Sequence, residues 1–388
     1  MTLDIKLLSR ELFLRKDDII GLEHEISSAS KDYYDKLPML DNIDRSANDR
    51  LPRYSGCRVY EEGPFVRKSE NRFQNRKQAT DWALSILKGK AVAAVDGSQI
   101  FPSREISISI GLAQACMVVN RHKDGGAYDL SSIMSIVVPG DFEKLGSNFS
   151  YSQAPVSLKR FELECERIAE FMTSEPGSLI FLDGSIVLSF INQVDERLRE
   201  RYISAMVKVL DTSEKTRTPV AAFTDLSLNR DIVTFMQKYF RLQYNPYLKD
   251  VHLIKRVLEW GDRTRVFLSD RDDRSGKDNL SVLDRYGEYR NSVAFFYLQT
   301  SGELPSKVEI PEWCCREGLT DSIADIVRAE SIIRPGYPDI IHRAHEFAKI
   351  SQSENELFNG MLESFAAQND IRLYRSAKEF NKQLGMKR

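Results

Sequence analysis

Cysteine is scarce in this chain of 388 residues: there are five, Cys57, Cys116, Cys165, Cys314 and Cys315, with no C-x-x-C pair and no Cys/His array at zinc spacing. A disulfide framework and a structural zinc site are therefore not expected, and the thiols read as reduced core residues. An excess of one charge is missing too. Lys+Arg 55 against Asp+Glu 57 leaves a formal net charge of -2, so any phosphate-binding surface has to be a local patch. No apolar run reaches the roughly 18–20 residues of a membrane-spanning helix, and the start Met-Thr-Leu-Asp-Ile-Lys carries no signal-peptide apolar stretch. A cytoplasmic location without a membrane partner is the expectation. The GxxxxGK[ST], GxGxxG, GxSxG and HExxH patterns are all absent, which removes the usual signatures of P-loop ATPases, dinucleotide enzymes, elbow hydrolases and zincins.

What is present is the composition of a folded protein, 42% hydrophobic and 29% charged, long enough for two or three small domains or one large one with additions. Residues 1–50 are polar with apolar positions at helical intervals (Leu3, Leu7, Leu8, Leu12, Ile19, Ile20), and Pro38, Pro52 and Pro64 then break any continuous helix. This stretch reads as a helical N-terminal appendage. The run Ala91-Val92-Ala93-Ala94-Val95 reads as a buried central strand ending in an acidic turn, Asp96-Gly97-Ser98. Ile106, Ile108 and Ile110 alternate with serines as a half-buried strand does, and Ala115 to Val119 and Ile133 to Val138 suggest others. Phe161, Cys165, Ile168 and Met172 mark one face of a helix, after which Leu179-Ile180-Phe181-Leu182 repeats the first pattern and ends in Asp183-Gly184-Ser185. Helices are expected over 189–210, over 229–239 and from Ser322 to Gln383, and a strand from Val220 to Thr224. The charged segment 261–290 reads as a long exposed loop. Together these give an α/β chain with a mixed or antiparallel sheet flanked by helices.

A carboxylate at the carboxyl end of a buried strand points into the crevice where α/β sheets bind ligands, and two of them on neighbouring strands suit divalent cations. Asp-Gly is also a common turn dipeptide; its repetition after two matching strands favours a site at Asp96 and Asp183. Glu164 falls between Phe161, Cys165 and Ile168 on the helical wheel, unlike Glu162, Glu166 and Glu170. It either leans inward and needs a partner or sits at the stripe's edge and reaches water. His345 falls within the apolar stripe Ile341, Ala344 and Ala348, whereas His342 is rotated off it. A buried histidine is commonly a hydrogen-bonded core residue, yet imidazole also ligates Mn²⁺-like ions beside carboxylates.

In this order and spacing the residues resemble the NurA family: Val95-Asp96-Gly97-Ser98, Leu182-Asp183-Gly184, Phe295-Phe296-Tyr297-Leu298, Val308-Glu309-Ile310-Pro311-Glu312-Trp313, Gly336-Tyr337-Pro338, Ala344-His345-Glu346, and Ser376-Ala377-Lys378 with Lys382. The resemblance implies a ribonuclease-H-like core over residues 89–388, with 1–88 as the appendage. It implies a Mn²⁺-dependent nuclease, with Mg²⁺ as the alternative ion, that cuts single-stranded DNA internally and duplex ends from 5′ to 3′. Such nucleases work in DNA-end processing and double-strand break repair beside the HerA hexameric ATPase, and the family's symmetric dimer implies a homodimer. By position, Asp96, Asp183 and His345 look like the metal ligands, and Glu164 like the helix glutamate, open by one helical step to Glu162 or Glu166. Arg263, Arg265, Lys378 and Lys382 are candidates for tracking DNA phosphates, or else part of a solvated surface.

One departure stands out. Where many relatives show Gly-Tyr-Ile-Asp-Arg-Pro, this chain has Ala222-Phe223-Thr224-Asp225-Leu226-Ser227, so a tyrosine hydroxyl is missing. That gives some support to a rival reading, a catalytically weak or inactive DNA-clamp subunit of the same complex. An actin-like kinase or ATPase is a weaker rival, because no glycine-rich phosphate loop accompanies the aspartates.

Overall fold

The apolar runs of the sequence become strands, and the computed structural model describes residues 3–103, 107–123, 126–143, 152–275 and 278–374. They form two compact units. The first takes in residues 1–72, 225–272 and 294–307, the second 73–224, 273–293 and 308–388.

In the first unit the helices α1 (Ile5–Leu14) and α2 (Lys16–Lys36) occupy the N-terminal stretch where helices were expected. Strand β1 (Gly56–Val59) pairs antiparallel with β9 (Phe267–Asp270), and β9 with β10 (Val293–Leu298). The two-residue strand β2 (Val66–Arg67) reaches this sheet through β8 (Arg263–Thr264). Helices α7 (Asp231–Phe240) and α8 (Asp250–Ile254) complete the unit. Its core joins Tyr33, Leu40 and Phe65 from the N-terminal stretch to Phe235, Phe267 and Tyr297.

The second unit opens with α3 (Arg76–Leu87) and then an antiparallel meander of three strands, β3 (Val92–Ile100), β4 (Gly111–Asn120) and β5 (Tyr128–Val137). A short helix, α4 (Gly140–Glu143), and the long α5 (Ala154–Ser174) lead to β6 (Leu179–Asp183), which lies parallel to β3. Helix α6 (Glu196–Thr216) then leads to β7 (Val220–Thr224), parallel to β6. The spatial order is β5-β4-β3-β6-β7, with β11 (Ser306–Pro311) beyond β7. A three-stranded meander whose first strand is extended by two parallel α-linked strands is the ribonuclease-H-like arrangement. Helices α9 (Glu312–Arg316), α10 (Thr320–Ile333), α11 (Asp339–Ala348) and α12 (Gln352–Gln368) follow.

Successive side chains of β3 alternate between two faces of the sheet. Ala93 and Val95 enter the core with Val156, Leu158 and Ile168 of α5. On the alternate positions, Asp96 and Ser98 meet α11. The sheet is thus covered by a helix on each face, which is why its central strands read as continuous apolar runs.

Three sequence expectations are corrected here. Asp96-Gly97-Ser98 does not end its strand: β3 runs on to Ile100, and these three residues pair with Cys116, Ala115 and Gln114. The alternation at Ile108 and Ile110 is not a strand, which begins instead at Gly111, while Ile106 lies outside the described residues. The segment 261–290 is not one exposed loop, because Asp262, Arg263, Thr264 and Arg265 are all buried. Asp262 accepts hydrogen bonds from Lys68 Nζ (2.9 Å) and the Ser69 amide (2.9 Å), which removes the cost of its burial.

Candidate active site

Parallel pairing places Val95 beside Leu182, so Asp96 and Asp183 follow side by side on the same face of the sheet. Unlike the first acidic tripeptide, the second does end its strand, with Gly184 at φ +123°. The turn after it is held by Glu309 of β11, which is buried and accepts hydrogen bonds from the Ser185 hydroxyl (2.7 Å) and the Ile186 amide (2.7 Å). The Gly184 amide donates to the Phe223 carbonyl (3.0 Å), and Thr224 Oγ1 donates to the Gly184 carbonyl (2.7 Å). Asp183 therefore projects from a fixed turn.

Asp96 is held as closely. Its Oδ1 accepts from the Gly97 amide (2.8 Å), and its Oδ2 lies 2.9 Å from Nδ1 of His345. The helix carrying His345 is anchored to β3 and β4: Ser98 Oγ (2.5 Å) and Gln114 Nε2 (3.0 Å) both donate to the carbonyl of Ala348. His345 is not in the buried stripe as expected. Ile341, Ala344 and Ala348 are buried, but the His345 side chain is 52% exposed, one step of about 100° round the helix from Ala344. It stands at the rim of the stripe, over Asp96. His342 makes no contact with the carboxylates and is half-buried.

Glu164 is the inward carboxylate of its helix. Glu162 instead forms a two-pronged pair with Arg201 (both contacts 2.7 Å), and Glu166 is exposed. Glu164 Oε1 is buried without a hydrogen-bond partner, with Arg160 Nη1 3.5 Å away. Burial pushes its carboxyl up to about 7; the Arg160 guanidinium opposes that shift and the charges of Asp96 and Asp183 add to it. The surrounding protein also raises Asp183, although one edge of that carboxylate meets solvent; here the opposing influence is a hydroxyl, Tyr337 Oη, which donates to Asp183 Oδ1 at 3.0 Å.

Tyr337 is the side chain at this site that residue-by-residue reading passed over. It was visible only as the middle of Gly336-Tyr337-Pro338. Its ring packs edge-on against Phe223, with centroids 5.3 Å apart and planes at 90°. Phe223, fully buried, thus packs its ring beneath Tyr337.

The four expected site residues Asp96, Glu164, Asp183 and His345 are brought together; the four expected DNA-tracking cations are not among them. Arg263 is buried, with two contacts to Glu61 (2.7 and 3.0 Å), and Arg265 is buried with its Nη1 on the carbonyls of Ile43 and Gly63. Neither guanidinium is free for a phosphate, which corrects that expectation. Lys378 and Lys382 lie outside the described residues.

Three carboxylates and an imidazole offer hard oxygens and one nitrogen, the donor chemistry that Mn²⁺ and Mg²⁺ take, and Glu164 Oε1, without a hydrogen bond, has only the Arg160 guanidinium beside it. Among the described residues no three such side chains are already drawn into a closed metal cage. Hydrogen bonds hold Asp96 and Asp183 in position, from His345 and Tyr337 respectively.

The chain resembles known proteins in two ways. The catalytic domain of human endonuclease V is similar at 14% identity, with a TM-score of 0.32, over 74% of this chain and 94% of that one. No curated protein matches it. The model of the NurA domain matches residues 90–350, more than half of the chain and the whole stretch that bears Asp96, Glu164, Asp183, Tyr337 and His345. The chain belongs to the NurA family of nucleases.

Proposed function

We propose that this protein is a Mn²⁺-dependent DNA nuclease, with Mg²⁺ as the alternative ion, that cuts single-stranded DNA and degrades duplex ends from 5′ to 3′. The observation that carries the reading is the side-by-side placing of Asp96 and Asp183 where the parallel pairing of β3 and β6 ends, with His345 on Asp96 and the buried Glu164 carboxyl close enough to feel both charges. Asp96, Asp183 and Glu164, with His345, would hold the ion, which when bound polarises a phosphate and makes water a better nucleophile. The residues themselves set the stage. Tyr337 keeps one oxygen of Asp183 in place through its hydroxyl. The contact between His345 Nδ1 and Asp96 orients the imidazole and leaves Nε2 as the available ring nitrogen. Arg160 keeps a positive charge beside Glu164.

A chain of net charge -2 with no P-loop has neither a strong hold on DNA nor a motor. A HerA-like hexameric ATPase and a homodimer answer both needs, in DNA-end processing and double-strand break repair in the cytoplasm. Helix α1, which has no buried residue and exposes Leu7, Leu12 and Phe13, is the surface we assign to such contacts. Among the described residues no helix is long and apolar enough to cross a membrane. Two measurements test the reading. Degradation of a labelled single strand should require Mn²⁺ or Mg²⁺ and vanish with chelator; activity unchanged by chelator overturns the metal assignment. Light scattering should show a dimer, and duplex degradation should become ATP-dependent when the cognate ATPase is added; a strict monomer, or a rate indifferent to partner and ATP, overturns the assembly.

A further inference from the structure

A cleft of ≈ 580 Å³ is lined by Asp183 and Glu164, by the segment after β6 and by the aromatic residues Phe161, Phe190 and Tyr202. The volume falls within the range of small-molecule sites, large enough for a heterocyclic base and its sugar. The aromatic rings are in contact. Phe190 meets Tyr202 edge-to-face at 5.3 Å and 88°, and Tyr202 meets Phe161 at 5.1 Å.

Phe190 is the unusual member. It sits on the short helical turn Ser189–Gln193, whose neighbouring Ile191 is fully buried, yet Phe190 itself is 50% exposed. The turn is held at both ends by Asp273: the Ser189 hydroxyl donates to its carboxylate at 3.3 Å, and Asn192 Nδ2 donates to its carbonyl at 2.5 Å. An aromatic ring is thus fixed half in water with an edge contact beneath it and a cleft beside it. The Tyr202 hydroxyl makes no hydrogen bond within the described residues.

Apolar walls, an exposed ring face, the carboxylates Asp183 and Glu164 and the Arg160 guanidinium in one cleft suit a ligand with a flat aromatic part and a phosphodiester. We propose that the cleft takes one unpaired nucleobase, stacked on Phe190, next to the phosphodiester at the carboxylates. This rests on the nuclease reading above and deepens it. A base can enter only when unstacked and unpaired, so the cleft selects single strands and frayed ends over an intact duplex, and it does so through stacking, with little sequence preference.

The test uses the full-length protein and a labelled single strand with one internal abasic nucleotide, so that every other bond is its own control. Wild type in Mn²⁺ should cut the bond beside the abasic nucleotide about tenfold more slowly than the rest. Phe190→Ala should cut all bonds about tenfold more slowly and no longer distinguish the abasic position. In parallel, fluorescence anisotropy of an intact labelled strand is measured on Asp96→Asn, with and without Phe190→Ala; the second change should weaken binding about tenfold, in line with loss of one stacked base. Tyr202→Phe, which keeps the ring, should retain the abasic discrimination. Even cutting at the abasic position together with unchanged anisotropy overturns the base site and leaves the nuclease reading intact. A protein that cuts nothing but loses binding with Phe190→Ala overturns the nuclease reading and keeps the base site. A protein that neither binds nor cuts overturns both.

Discussion

Oε1 of Glu164 lies 2.2 Å from the point where a Cβ on residue 97 would stand. Gly97 has no left-handed backbone to explain it and sits within a paired strand. It is glycine because a carboxylate from the helix on one face has to press against the strand whose other face carries Asp96.

Gly97→Ala should therefore damage the site first and the fold second. The added methyl also meets Arg160 Cγ at 2.7 Å and the Gln114 carbonyl at 2.9 Å, and the backbone carbonyl cannot swing away. We expect a stability loss of about 1–3 kcal/mol, typical of overpacking. Activity should fall by about 10²-fold as Glu164 is displaced. Thermal unfolding and a single-strand assay check both.

Asp96→Asn and Asp183→Asn should each abolish cleavage while the protein stays folded, since the volume is kept and only a charged oxygen is lost. Asp183→Asn should be slightly more stable than wild type near neutral pH, because the surroundings raise that carboxyl above its usual range. Circular dichroism melts beside the nuclease assay decide this.

Glu164 gives a pH dependence with a definite sign. Its carboxyl titrates near 7 when folded against about 4.5 when free, so between those values the folded state holds the proton more tightly than the unfolded one. Metal-free stability should fall as pH rises through that window. Glu164→Gln removes the effect. It should exceed wild type by about 1–3 kcal/mol at pH 8 and converge with it at pH 5, measured by chemical denaturation in chelator.

Tyr337→Phe keeps the ring against Phe223 and removes only the hydroxyl on Asp183. The expected result is roughly tenfold slower cleavage with a stability change below about 1 kcal/mol. A rate equal to wild type would mean that Asp183 needs no such support.

Arg263→Ala should behave as a folding mutation. The guanidinium is 2% exposed and holds Glu61, which is itself a quarter exposed and also contacts Arg67. The loss should be about 2–4 kcal/mol, below that of a fully buried pair. DNA affinity of the folded variant, measured by anisotropy, should be unchanged.

The sequence made the sheet legible because its central strands are apolar on both faces, and it placed Asp96 and Asp183 at comparable points of two such strands. Glu164 was legible from its position on the helical wheel. Local patterns failed where distant partners decide. Asp96-Gly97-Ser98 has the composition of a turn, yet nine ladder pairs with β4 carry the strand through it. Arg263 and Arg265 look like surface charges until Glu61 and two carbonyls of the N-terminal stretch are folded onto them. His345 was assigned to the buried stripe because one helical step separates it from Ala344, and only the docking of α11 on β3 shows which side of that step meets Asp96. Tyr337 has no signature of its own, since its partner lies 154 residues earlier in the chain.

The link between Asp96 and His345 spans 249 residues. At a synthesis rate of about 5–20 residues per second, roughly 10–50 s separate the emergence of the aspartate from that of its histidine. During that interval the meander and the parallel strands can form, but the pair of Asp96 with His345 cannot. By the time His345 emerges, every described strand of the sheet has already been made. A product ending before Tyr337 would keep both aspartates yet lack that hydroxyl, the imidazole and the Ala348 anchor, so a chain cut short there should not cleave DNA.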